Sequence, residues 1–121
     1  AHLMLMGHVK EGREIVRLCR DRYDGHVRNP FDEFECGHWY ARAMSSYGML
    51  QALTGARYDA VTRTLTIEPR FRGDFRSFFA AADGYGTVGV RDGKPFIELA
   101  AGRIAVERIV YTPCARSART P

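Results

Sequence analysis

Residues 85–111 read YGTVGVRDGKPFIELAAGRIAVERIVY. Valines, isoleucines and aromatics alternate with polar residues here at the period of a half-buried strand. Asp92-Gly93 is a strong two-residue hairpin signal, and Ala101-Gly102 marks a further turn. The stretch therefore predicts three strands. The alternation changes phase between Val106 and Ile109, which predicts a bulge or a strand end there. Just upstream, RYDAVTRTLTIEP (57–69) predicts a short hairpin, with Leu65 and Ile67 alternating. DFRSFFAAADGYG (74–86) reads as either a helical turn or a strand, with Phe75, Phe78 and Phe79 expected to plug the core.

The N-terminal half has a different period. In VKEGREIVRLCRDRY (9–23), Val9, Ile15, Val16, Leu18, Cys19 and Tyr23 fall mostly on one helical face, with Arg13, Arg17 and Arg20 opposite. This helix is expected to stop at Asp24-Gly25. HVRNPF (26–31) then reads as a loop, because Pro30 fixes its own φ and pushes Asn29 out of the helical region. From about Trp39 to Leu53, the residues Tyr40, Ala43, Met44, Tyr47, Leu50 and Leu53 recur at three and four positions. This second helix is expected to be buried on most sides and to end at Thr54-Gly55. Helices followed by strands is the α+β order.

The totals set bounds. At 121 residues the chain has the length of one ordinary domain, and 45% hydrophobic, 12% aromatic and 26% charged residues is a globular composition. The formal charge of +4 comes from 18 Lys and Arg against 14 Asp and Glu, with no visible gathering on one face, so no nucleic-acid partner is expected. Cys19, Cys36 and Cys114 are odd in number and form no CxxC, which suggests a reducing compartment, and cytoplasmic location is the expectation. No apolar run approaches the roughly 20 residues of a membrane helix. The opening AHLMLMGHV is apolar and lacks a helix cap, as if taken from the interior of a longer protein, and the chain is expected to be the end of one.

The densest chemistry lies in RNPFDEFECGHWYAR (28–42). Glu33 precedes the second helix and Arg42 lies near its start, so the two can converge at the helix entrance beside Trp39 and Tyr40. A carboxylate, a guanidinium and aromatic faces together suit a sugar's hydroxyls and C–H side. The plainer alternative is that Glu33 and Arg42 pair and cap the helix. Cys36 and His38 are too few for a zinc site, and no oxyanion hole or orienting group accompanies them for nucleophilic catalysis. No cofactor or metal is expected, and calcium binding is left open.

Four blocks in order, RDRYDG, RNPFDEFECG, YARAMSSYGMLQALTG and DFRSFFAAADGYGT, resemble the C-terminal part of bacterial glycoside hydrolase family 116, the β-glucosidase family that includes the non-lysosomal glucosylceramidase. The resemblance covers roughly 9–87. It implies that 1–55 are the last helices of an (α/α)6 barrel catalytic domain, followed by a small antiparallel β-sheet of hairpins over 56–111 packed on it; TPCARSARTP (112–121) has no apolar periodicity and is expected to be a disordered tail. It also implies a retaining glycosidase acting on β-glucosides or related β-linked sugars, with both catalytic carboxyl groups upstream and the rest of the catalytic domain as a partner.

The family's sugar-holding Glu in its NPxNE element, and the Arg nine residues later in its YAR element, fall on Glu33 and Arg42. Glu35 belongs to the adjacent ECG element. Asp32 replaces the family's usual Asn, and Trp39 a His or Asn, which puts substrate preference in doubt. The competing expectations are a non-catalytic carbohydrate-binding or accessory module, and a structural domain without a ligand.

Overall fold

The computed structural model describes residues 1–23, 26 and 43–115. Among them, α1 (His2–Leu5), α2 (Val9–Arg20) and α3 (Ala43–Thr54) precede six strands: β1 (Arg57–Asp59), β2 (Thr64–Ile67), β3 (Phe75–Ala81), β4 (Gly84–Arg91), β5 (Lys94–Gly102) and β6 (Arg108–Tyr111). The chain divides into two compact units, Ala1–Leu53 and Thr54–Pro121.

In the first unit, α1 is a single turn that buries Met4 against α2. A Cβ placed on Gly12 would lie 2.8 Å from the Met4 Cγ, so glycine lets the two helices meet. The polar side of α2 carries Arg17, which donates to Glu14 (2.7 Å) and to Asp21 (2.6 Å). A 3-10 turn over Asp21–Tyr23 follows; the expected stop at Asp24-Gly25 lies outside the described residues. The apolar side of α2 stays largely open: Ile15 is 52% and Leu18 50% exposed, and Cys19 is exposed too. In α3, Ala52 is fully buried but Tyr47 points to solvent, so the helix is not covered on most sides as expected. It ends as expected, with Gly55 in the left-handed conformation (φ +61°).

The second unit holds two three-stranded sheets. β1 and β2 form the antiparallel hairpin predicted by RYDAVTRTLTIEP. Its connecting turn is held by Asp59, which accepts from the Val61 N–H (2.9 Å), the Thr62 N–H (3.3 Å) and the Thr62 hydroxyl (2.8 Å). β3, β4 and β5 form an antiparallel meander. Its β4–β5 turn is the expected Asp92-Gly93, with φ of +52° and +71°. Asp74, just ahead of β3, accepts from the N–H groups of Asp92 (2.7 Å) and Gly93 (3.3 Å) and braces that turn from the far strand.

After β5 the chain leaves this sheet. Residues 103–107 cross over, with the Val106 N–H donating to the Ile104 carbonyl in a tight turn, and β6 then pairs with β2 in parallel. The change of phase between Val106 and Ile109 is thus a change of sheet. The bulge lies elsewhere, at Tyr85/Gly86 against β5, where a Cβ on Gly86 would come within 2.0 Å of the Glu98 carbonyl oxygen.

Both sheets contribute to one core: Leu65 and Ile67 from β2, Phe79 from β3, Val88 and Val90 from β4, and Ala56 from the segment before β1. Tyr58, Phe75, Ile97, Ile104, Val106 and Tyr111 pack around it half-buried, and the Tyr58 hydroxyl donates to the Ala105 carbonyl at 2.8 Å. Within 74–86 the phenylalanines lie on strand β3 (Phe75–Ala81), which turns into the start of β4, and alternation decides their fate. Phe79 is buried and Phe75 half-buried, whereas Phe78 emerges on the opposite face.

These observations correct the expected architecture. The described residues hold more strand than helix, arranged as three α-helices and two sheets, one of which includes a parallel pair. They are not the terminal helices of an (α/α)6 barrel followed by a small antiparallel sheet. The physical reason is the weight of the two patterns. Alternation after Gly55 builds the larger shared core, while α1 is one turn long and the apolar stripe of α2 remains exposed.

Candidate functional site

Glu33 and Arg42 lie outside the described residues, together with Asp32, Glu35, Cys36, His38, Trp39 and Tyr40. Arg42 directly precedes Ala43, the first described residue of α3. The described residues contain no group of three or more His, Cys, Asp or Glu able to hold a metal ion. No described helix is long and apolar enough to cross a membrane.

Chemistry-bearing side chains do converge on the outward face of the β3–β4–β5 sheet. The inward set is Phe75, Ser77 and Phe79 on β3, paired with Val90, Val88 and Gly86 on β4. The alternate residues therefore share the outer face. Ala80 pairs with Tyr85, Phe78 with Thr87, and Arg76 with Gly89. On the third strand, Ala101 opposes Tyr85, Glu98 opposes Thr87, and Phe96 opposes Gly89.

Three ranks of side chains result. The first is Ala80, Tyr85, Ala101; the second is Phe78, Thr87, Glu98; the third is Arg76, Gly89, Phe96. Phe78 is 53% and Tyr85 50% exposed. Phe96 is spoken for: the Arg91 guanidinium lies over its ring at 4.6 Å and donates to Glu98 Oε1 at 3.0 Å.

The perturbed acids belong to other elements. Hydrogen bonds from the Thr62 hydroxyl, then from the Thr62 and Val61 backbone, hold Asp59 below the ordinary carboxylate range. The hydrogen bond from Arg17 lowers Glu14, and the same bond raises Arg17. Both acids are exposed and do structural work in a turn and on a helix.

The sequence reading missed Phe78 and Tyr85 as surface groups. The signal was present in the adjacent pair Phe78-Phe79, because two consecutive residues of a strand cannot both face the core. Comparison with protein-family models and with curated proteins returned no match to the chain.

Proposed function

We propose that this chain is the C-terminal part of a retaining glycoside hydrolase similar to family 116, acting on β-glucosides or related β-linked sugars, in which Glu33 and Arg42 hold sugar hydroxyls. The observation that carries this reading is the RNPFDEFECG block followed, nine residues after Glu33, by the arginine of YAR, the residue before Ala43 in sequence. Glu33 accepts from hydroxyls and Arg42 donates to them. A charged, forked donor opposite a carboxylate fixes the ring's orientation while it flattens towards an oxocarbenium-like state.

A retaining mechanism needs two further carboxyl groups about 5 Å apart, one as nucleophile and one as acid and base. In this proposal both belong to polypeptide preceding these residues. The 121-residue chain alone then releases no glucose from an aryl β-glucoside. In the full-length hydrolase, Arg42→Ala weakens a glucose-like imino sugar by about 1.5 to 3 kcal/mol, the loss of one charged hydrogen bond in a closed site. Titration calorimetry of the two proteins checks this, and an unchanged affinity would leave the pair a helix cap with no role in the sugar site.

A further inference from the structure

We infer that the open stripe of α2 pairs antiparallel with the same stripe of a second copy of this chain, Ile15 meeting Leu18 twice about a two-fold axis and Glu11 meeting Arg22 at each end. The inference uses neither Glu33 nor Arg42.

At helical spacing α2 carries two apolar faces. Val9, Gly12 and Val16 form the first, buried or half-buried, with Gly12 against Met4 of α1. The second lies about a third of a turn round the helix and consists of Ile15 and Leu18, both exposed. Two charged residues stand in line with this second face. Glu11 is one turn before Ile15, and Arg22 is one turn after Leu18, on the 3-10 turn that continues α2; both are exposed.

The spacing of Glu11, Ile15, Leu18 and Arg22 is four, three, four, which reads the same in both directions. Laid antiparallel on a copy of itself, the stripe puts Ile15 opposite Leu18 and Glu11 opposite Arg22, and the two-fold axis repeats each contact. A parallel copy would instead set Glu11 on Glu11 and Arg22 on Arg22. Charge therefore fixes both the occupant and its direction.

The other charges of the helix leave this match intact. Glu14 and Asp21 lie on one flank of the stripe, and Arg17 of the same chain holds both, at 2.7 Å and 2.6 Å. Cys19 lies on the other flank. Lys10, Arg13 and Arg20 fall roughly 100° or more from the stripe. Glu11 and Arg22 have no ion-pair partner among the described residues. An anionic membrane would accept Ile15 and Leu18 but would meet Glu11 in line with them and Glu14 beside them. A second copy brings Arg22 to Glu11.

One helix from each partner is a small contact beside the roughly 1,200 Å² that a stable interface buries, so the pair is weak and the dilute chain is a monomer. Sedimentation equilibrium of the 121-residue chain from about 1 μM to 1 mM, the range of weak association, tests this. Expected is a monomer–dimer equilibrium that Ile15→Ser/Leu18→Ser abolishes. Glu11→Arg and Arg22→Glu each set like charges together at both ends and raise the Kd about ten-fold. The double variant Glu11→Arg/Arg22→Glu exchanges the partners and returns the Kd to that of the unaltered chain, and it reports on the contact if the serine variant unfolds. The inference is overturned by a chain that stays monomeric at every concentration, by a dimer that the single reversals do not weaken or the exchange does not restore, or by a monomer that binds vesicles of equal parts phosphatidylserine and phosphatidylcholine.

Discussion

The two units invest their apolar residues differently. In Thr54–Pro121 the buried side chains come from two sheets and close on one another as Leu65, Ile67, Phe79, Val88 and Val90, with six half-buried neighbours around them. Among the described residues of Ala1–Leu53 few side chains are buried, Met4 and Ala52 among them, while Leu5, Met6, Ile15, Leu18 and Tyr47 remain open to solvent. An amphipathic pattern states that a face is apolar, and only packing states that it is covered. The strand unit closes one alternate set of its side chains into a core while Val61, Phe78, Tyr85 and Leu99 stay exposed, and the described residues of the helical unit leave most of their large apolar side chains open without such a core.

The largest expected effect sets the two units against each other. Leu65→Ala removes a side chain with no solvent exposure and lowers stability by about 2 to 5 kcal/mol. Leu18→Ala, at a half-exposed position of α2, changes it by less than about 0.5 kcal/mol. Urea denaturation of the dilute monomer followed by circular dichroism measures both. Equal losses would mean that the α2 stripe is covered in solution and that the contrast between the units is wrong.

A smaller effect sharpens the picture inside the strand unit. Asp74→Ala deprives the Asp92 and Gly93 N–H groups of their acceptor and costs about 1 kcal/mol. Faster amide exchange at 92 and 93, with the exchange of β2 unchanged, would localise the loss to that turn.

The smallest effect depends on pH. Because Asp59 is lowered by its turn hydrogen bonds, its folded form binds a proton less readily than its unfolded form. Its stabilising contribution is complete above the ordinary aspartate value of about 4 and is lost as pH falls through the lower folded value. Stability curves of the protein and of Asp59→Ala should therefore be offset at neutral pH and converge below about pH 4. A constant offset down to acid pH would show that the carboxylate's charge plays no part in the turn.

Much of the strand unit was legible because its signals are local. Asp92-Gly93 specifies a hairpin turn through the positive φ that both positions adopt, and Leu65 with Ile67 announces a strand by parity. The parallel pairing of β2 with β6 was not legible. It joins Thr64–Ile67 to Arg108–Tyr111 across an entire meander, and parallel pairing carries no turn between its partners to betray it. The brace from Asp74 to the 92–93 turn was hidden for the same reason. For the candidate sites, the Glu33–Arg42 spacing was readable from the chain, whereas the grouping of Phe78 and Tyr85 on one sheet face appeared only once register placed β3 beside β4.

Neighbouring residues alone set where helices give way to strands, where the Asp92-Gly93 turn forms and where α3 stops, because each depends on backbone preferences spanning a few positions. Which strands became partners, which phenylalanine reached solvent and which apolar helix face stayed open were settled by packing. Those outcomes depend on contacts between segments far apart along the chain, whose free energy no short stretch of residues contains.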